Sequence, residues 1–162
     1  MTSTSQAPFT LRDGENLALY DWPLFPGQRP RAVVLIVHGL GEHAWRYDHV
    51  ARRLNAWGFQ VRAYDQRGHG ESGGARGVLP ADNALLADLA EVVDDTREQC
   101  CNPWACPMVL LGHSMGGLVA ARFVAMHLRP VDALVLSSPA LDPGLNAVQK
   151  LLLATLPRFA PN

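Results

Sequence analysis

Gly112-His113-Ser114-Met115-Gly116-Gly117 sits between an apolar run, Met108-Val109-Leu110-Leu111, and a helix-like segment from Leu118 to His127. Gly-x-Ser-x-Gly in that setting describes a nucleophile elbow, a sharp strand-to-helix turn that leaves one hydroxyl exposed. Such a turn holds Ser114 in a strained backbone conformation, so a side chain at Gly112 or Gly116 is expected to strike the neighbouring strand or helix. The helix begins directly behind the serine. Its unpaired N–H groups and positive dipole end then face any developing oxyanion.

The rest of the pattern predicts the sheet around that turn. Phe9-Thr10-Leu11, the turn Arg12-Asp13-Gly14-Glu15 and Leu17 to Trp22 read as a hairpin. Pro23 to Pro30 reads as a loop. Ala32-Val33-Val34-Leu35-Ile36-Val37 is an uninterrupted apolar run rich in β-branched residues, as in a parallel strand buried on both faces. Asp48 is placed as the cap of a helix carrying Val50, Ala51, Leu54 and Trp57 on one side and closed by Gly58. Phe59 to Tyr64 is the next strand. Asp82 is placed as the start of a longer helix with Leu85, Leu86, Leu89, Val92 and Val93 at helical spacing. After the elbow and its helix comes a strand, Ala133 to Ser137. From the third strand onward the order β-α-β-α-β-α-β predicts an α/β fold: a mostly parallel sheet, right-handed crossovers and helices on both faces. The hairpin adds an antiparallel edge, giving about six strands with residues 107–111 inside the sheet. Residues 1–162 are read as one domain. The segment Asn146 to Phe159 reads as a strongly apolar helix that must be buried against something. Little sequence follows it, so the expectation is a chain cut off after about six strands.

Composition narrows the function classes. Hydrophobic residues make up 48% and charged residues 18% of 162, which indicates a globular domain with a real core. The net charge is −1 and no Lys/Arg cluster occurs, so nucleic acid is not an expected partner. Met1 to Pro8 lacks a basic and an apolar leader region, and no apolar run reaches the ~18 residues of a membrane span, so a cytoplasmic protein is expected. Cys100, Cys101 and Cys106 are an odd set with no fourth ligand at zinc spacing. They are read as loop cysteines rather than a disulfide framework or a metal site, and no metal or cofactor is expected.

Four blocks then carry a resemblance. His38-Gly39-Leu40-Gly41-Glu42-His43, Asp65-Gln66-Arg67-Gly68-His69-Gly70-Glu71-Ser72-Gly73, Gly112 to Gly117, and Leu134-Val135-Leu136-Ser137-Ser138-Pro139-Ala140 occur in that order. They resemble the monoacylglycerol lipase and lysophospholipase branch of the α/β-hydrolase fold, often labelled serine aminopeptidase-like, over the chain from Phe9 onward. The resemblance implies a serine carboxylic-ester hydrolase working through an acyl-enzyme, with Ser114 as nucleophile and the backbone N–H groups of Leu40 and Met115 as oxyanion hole. It places Glu42 and Arg46 at the polar end of the pocket, where glycerol hydroxyls sit; a surface ion pair is the other reading of those two. Leu40, Met115 and the apolar segment 147–156 would line the acyl-tail site. The implied substrate is a small-molecule acyl ester of medium or long chain. The same blocks also occur in esterases, peptidases and acyltransferases. A cap inserted near residue 162 in that branch would provide any peripheral membrane contact.

The remaining histidines and acids read as structural. His38 precedes the oxyanion loop and suits a backbone-bonded brace. Asp65 to Gly70 suits a tight loop pinned by its own charges, and His113 points away from its neighbour Ser114. After Ser114 the one histidine is His127, about 13 residues on, nearly 20 Å along a helix and out of reach. The carboxylates after Ser114 are Asp132 and Asp142, and Asp142 follows the sixth strand, where a few members of this fold place their acid. The resemblance implies that acid and base lie beyond residue 162. Two readings stand: the N-terminal half of a serine esterase or lipase, inactive alone, or a non-catalytic module that binds acyl ligands or a protein partner. In either, the unpaired sixth strand offers an edge for self-association.

Overall fold

The computed structural model describes residues 8–142, so the expected helix at 146–159 lies outside the described residues. Two short strands open the chain, β1 (Phe9–Thr10) and β2 (Asn16–Leu17), paired antiparallel with Phe9 opposite Leu17. Then follow β3 (Leu19–Trp22), β4 (Val33–Val37), α1 (Asp48–Ala56), β5 (Gln60–Tyr64), α2 (Ala84–Thr96), β6 (Met108–His113), α3 (Met115–Ala125) and β7 (Ala133–Ser137). The main sheet has five strands in the order β3-β5-β4-β6-β7. All neighbours run parallel except β3, which is antiparallel to β5 with Leu19 opposite Tyr64. This is the α/β-hydrolase arrangement, and β6 with its elbow lies inside the sheet.

The sheet order explains which helix covers which face. From β4 the chain steps one way to β5, then back across β4 to β6 and on to β7. Right-handed crossovers put α1 on one face and α2 and α3 on the other. The core divides accordingly. Val33, Leu35 and Val37 pack with Leu89, Val92 and Val93 of α2 and with Val119, Ala120 and Phe123 of α3. Val34 and Ile36 point the other way, against Ala51 and Leu54 of α1 with Trp22, Val61 and Ala63. Every residue of β4 is buried, as its unbroken apolar run requires of a strand covered on both faces.

The single hairpin expected at residues 9–22 is split in two. At Ala18 the backbone changes partners: Ala18 N–H donates to Ser72 Oγ at 2.9 Å, and Asp65 N–H donates to Ala18 O at 2.9 Å. The loop after β5 thereby inserts between β2 and β3 and carries β3 into the main sheet. Three helix details also differ from expectation. Asp48 is the first helical residue, not the cap; its carboxylate accepts from Trp22 Nε1 at 2.8 Å and, one helical turn on, from Arg52 Nε at 2.7 Å, so it is engaged elsewhere than at the cap. Trp57, assigned to the buried side of α1, is 56% exposed with the Arg53 guanidinium over its ring. The second helix starts at Ala84, two residues past Asp82, with Asn83 in the capping position. Of the three cysteines read as loop residues, Cys106 lies in the loop before β6, whereas Cys100 and Cys101 end a π-helical turn (Arg97–Cys101) that prolongs α2; all three thiols are free and buried. Among the described residues no helix is long and apolar enough to cross a membrane.

Candidate active site

Ser114 occupies the single position between β6 and α3, with φ 52° and ψ −119°. A positive φ at a residue with a side chain is strained and persists only when its surroundings over-determine it. They do so here. Ser114 N–H donates to Ser137 O at the end of β7 (3.1 Å), and Ser114 O accepts from Leu118 N–H (3.1 Å) and Ala140 N–H (2.9 Å). The Ser137 to Ala140 segment, quoted from sequence only as part of a resemblance, is a brace for the elbow.

The elbow glycines are there because backbone passes close by. A methyl group on Gly112 would lie 2.5 Å from Gly116 O and 2.9 Å from Ala120 Cβ. One on Gly116 would collide with the carbonyl oxygens of Val37 and His38. So α3 presses on β6, and its first turn presses on the end of β4. That contact brings the residues after β4 up to Ser114: a methyl on Gly39 would sit 3.2 Å from Ser114 Cβ and 3.1 Å from Glu42 Oε2. Leu40 follows, its side chain 71% exposed. Met115 is the first residue of α3, where backbone N–H groups have no intrahelical acceptor.

Glu42 is tied down at both oxygens. Oε2 accepts from Gly39 N–H at 3.1 Å and from Tyr47 O–H at 2.8 Å, while Oε1 lies 3.1 Å from Arg46 Nη1. Burial works to raise its pKa, but those two hydrogen bonds and the Arg46 charge outweigh it and hold the carboxyl below its usual range. Glu42 is 15% exposed at the side chain and Arg46 60%. The pair is therefore more than a surface contact, because its acidic member also ties Gly39 N–H to Tyr47 O–H within the loop. Tyr47, which the sequence reading did not single out, completes this cluster, and its ring lies 6.4 Å from that of His113. Its spacing, five residues after Glu42 on a 3-10 turn (Ala44–Tyr47), was the available signal.

The blocks read as structural are held by internal hydrogen bonds. His38 is fully buried, its Nδ1 2.7 Å from Gly39 O and its Nε2 accepting from Gln66 N–H at 2.9 Å. Asp65 accepts from Ala44 N–H (2.6 Å), Glu71 N–H (2.8 Å) and Tyr20 O–H (3.0 Å), which commits it to holding two loops together. His69 Nδ1 lies 3.0 Å from Arg67 O, and His113 Nδ1 3.2 Å from Ser137 Oγ. His127 lies past the far end of α3. Among the described residues no histidine hydrogen-bonds Ser114 Oγ, and no group of three or more His, Cys, Asp or Glu is set to hold a metal ion.

A cavity of about 410 Å³ opens beside the loop after β4, lined by Leu40, Glu42, His43, His69 and Arg76. A larger hollow of about 580 Å³ lies elsewhere, against Asp21, Arg62 and Asp95. Its charges are already spent on one another, since Arg62 bonds both Asp21 oxygens (2.6 and 2.9 Å) and Asp95 (2.5 Å).

Comparison with known proteins agrees with this geometry. The family model for serine aminopeptidase, S33, matches residues 28–162. A monoacylglycerol lipase of Mycolicibacterium smegmatis is 42% identical over 137 residues, 78% of this chain and 46% of that protein. A monoglyceride lipase of Mus musculus is 34% identical over 153 residues, 93% of this chain and 49% of that protein. The chain thus spans about half the length of these curated relatives. The crystal structure of a soluble variant of monoglyceride lipase from Saccharomyces cerevisiae, in complex with a substrate analog, superposes with a TM-score of 0.78 at 24% identity, over 99% of this chain and 56% of that one. The elbow, the loop packed on it and these matches together place the chain in the serine aminopeptidase, S33, family, with monoglyceride lipase-like α/β-hydrolases as relatives.

Proposed function

We propose that this chain carries the nucleophile and oxyanion hole of a serine carboxylic-ester hydrolase of the monoacylglycerol lipase or lysophospholipase type. The observation that carries the reading is Ser114 held at φ 52° with the start of α3 behind it and Gly39 so near that a Cβ there would lie 3.2 Å from Ser114 Cβ. In this reading Ser114 Oγ attacks the ester carbonyl, and the Leu40 and Met115 N–H groups receive the negative charge that develops on the carbonyl oxygen. Collapse of the tetrahedral intermediate expels the alcohol and leaves an acyl-enzyme, which water then hydrolyses. The general base and its acid partner come from outside residues 8–142.

Glu42 and Arg46 are assigned to the polar head of the substrate. Glu42 is engaged by the loop, so the exposed guanidinium of Arg46 is the freer group to meet glycerol hydroxyls. Leu40 and Met115, with the segment 147–156 that lies outside the described residues, are assigned to a medium or long acyl tail. A cap supplied from outside these residues would make any peripheral membrane contact. The relatives at 42% and 34% identity, a monoacylglycerol lipase and a monoglyceride lipase, support a glyceride ester as substrate.

A fluorophosphonate probe applied to the full-length protein tests the nucleophile. Labelling is expected on Ser114 and should vanish in Ser114→Ala; labelling that survives the substitution refutes the assignment. Turnover of p-nitrophenyl esters of rising chain length tests the substrate class. A rise from acetyl towards longer acyl groups is expected, and activity confined to aminoacyl amides would contradict it.

A further inference from the structure

Gly39 lies beside Ser114, close enough that a Cβ on it would be 3.2 Å from Ser114 Cβ, and a glycine peptide has no side chain to hold it in one orientation. The described residues contain no cis peptide. In a trans peptide the C=O and the following N–H lie in one plane and point in opposite directions. Whatever holds Gly39 O therefore aims the N–H of Leu40.

That holder is His38. Its Nδ1 lies 2.7 Å from Gly39 O, and a carbonyl oxygen only accepts, so Nδ1 carries the proton and donates. Nε2 is then a bare acceptor, and it receives Gln66 N–H at 2.9 Å. The two bonds are consistent with one neutral tautomer and with no other. Gln66 grips the same residue a second time: its side-chain Nε2 donates to His38 O at 2.6 Å. His38 O is also the oxygen that Gly116 leaves room for, so the grip lies against the elbow itself. Both Gln66 and His38 are wholly buried. On the other side of Gly39, its N–H is fixed by Glu42. The two peptides flanking Gly39 are thus each held by a side chain.

We propose that Gln66 and His38 form a positioning relay that fixes the plane of the Gly39–Leu40 peptide and so aims the Leu40 N–H at the oxyanion. The proposal rests on Ser114 being the nucleophile and Leu40 a donor, and it makes the Asp65 to Ser72 loop part of the catalytic apparatus without any of its groups touching substrate. Burial lowers the pKa of His38, against the opposing influence of the Gly39 bond and of Asp65 and Glu42, while His69, edge-on at 5.2 Å between ring centres, lowers it further. The neutral ring that the relay needs is the form its surroundings favour.

The test compares kcat, KM and affinity for a trifluoromethyl ketone, which forms an oxyanion on the serine, in the full-length protein. His38→Leu removes the donor to Gly39 O. It should lower kcat by about 10²–10³-fold, the usual loss of one oxyanion donor, weaken the ketone in step, and leave KM within roughly threefold. His38→Asn sets an amide NH2 near the position of Nδ1 and should recover at least about tenfold of that loss. Gln66→Met, which keeps the backbone N–H but deletes the second grip, should give a smaller kcat defect of the same kind. Should His38→Leu fail to fold, His38→Asp against His38→Asn makes the same comparison between isosteric groups that accept and donate. The relay is overturned if Asn performs no better than Leu or Asp, or if kcat and ketone affinity do not fall together. If Ser114→Ala retains full activity, the underlying nucleophile reading fails instead, and the two failures are told apart by that single variant.

Discussion

Arg67 grips Asp88 through two parallel hydrogen bonds, Nε to Oδ2 at 2.9 Å and Nη2 to Oδ1 at 2.7 Å, and both side chains are buried. The same guanidinium reaches Asp13 Oδ2 at 2.7 Å, so one residue ties the β1–β2 turn, the loop after β5 and helix α2 together. A bidentate pair of this kind is strong but expensive to break, because the partner left behind keeps a buried charge. Arg67→Met should lower unfolding stability by about 3–5 kcal/mol. Adding Asp88→Leu should restore much of the loss, since an apolar pair of similar volume avoids the desolvation penalty. Urea unfolding of the single and double variants measures this, and a single-variant loss under about 1 kcal/mol would contradict the buried-pair reading.

Gly116 and Gly41 separate close approach from backbone conformation. A Cβ on Gly116 collides with the Val37 and His38 carbonyls, which are backbone and cannot step aside, whereas Gly41 has φ +68° and open space around it. Gly116→Ala should destabilise by about 2 kcal/mol or more through overpacking and abolish probe labelling of Ser114. Gly41→Ala should cost only about 1 kcal/mol, the strain of a left-handed residue. Thermal melts with fluorophosphonate labelling distinguish the two; equal effects would mean that the elbow is looser than its contacts indicate.

What was legible from sequence follows from how local each signal is. The β4 run and the elbow glycines are read correctly because burial on both faces and close backbone approach act on adjacent residues. The split hairpin at Ala18 was not legible, because its cause is a hydroxyl at Ser72 and a backbone N–H at Asp65, far along the chain. Trp57 was misplaced for a similar reason: helical spacing puts it on the apolar side of α1, but the helix ends one residue earlier and the ring folds under Arg53. Ser114 was legible at the candidate site. Gln66, which holds His38, was not, since an amide carries no spacing rule and owes its role to a contact 28 residues away; for Tyr47 the local spacing to Glu42 was the one signal.

Glu42 makes the loop after β4 sensitive to acid. Its folded-state pKa lies below the ordinary 4.5, so between the two values the unfolded chain binds more protons than the folded one. Its contribution is therefore complete above about pH 4.5 and is lost as pH falls through the lower folded value. Glu42→Gln should be less stable than wild type near neutral pH, with the gap narrowing on acidification. Melting temperatures of both proteins from about pH 7 down to about pH 4 follow this. A gap that widens towards acid would reverse the sign and refute the role assigned to the carboxylate.

The three cysteines should be chemically silent in the folded protein. Burial pushes the Cys100 thiol up to about 11 and the Cys101 thiol up to about 12, and the Cys106 Sγ packs 3.8 Å from Cys101 O. Thiolate is the reactive form, so reaction at neutral pH should be negligible until the chain unfolds. Titration with a chromogenic disulfide should count no thiols in the native protein and three in urea. A fast-reacting native thiol would show that the turn ending α2 opens readily.

Residues 1–162 expressed by themselves should hydrolyse esters very poorly. A serine hydroxyl is weakly nucleophilic unless a base takes its proton, and in this sequence the one histidine after the elbow, His127, lies beyond the far end of α3. Of the histidines before the elbow, His38 is spent on Gly39 O and Gln66 N–H and His69 Nδ1 on Arg67 O. The oxyanion hole alone can leave residual acceleration, but loss of a triad's base removes several orders of magnitude. The same preparation tests the sheet edge. Val135 is 46% and Leu136 36% exposed on β7, which is the outer strand among the described residues, and an apolar open edge favours strand pairing between copies. Size-exclusion chromatography coupled to a p-nitrophenyl butyrate assay should therefore find dimers or larger species with almost no turnover. A monomer turning over at about 1 per second or faster would mean that a base reaches Ser114 from within this chain.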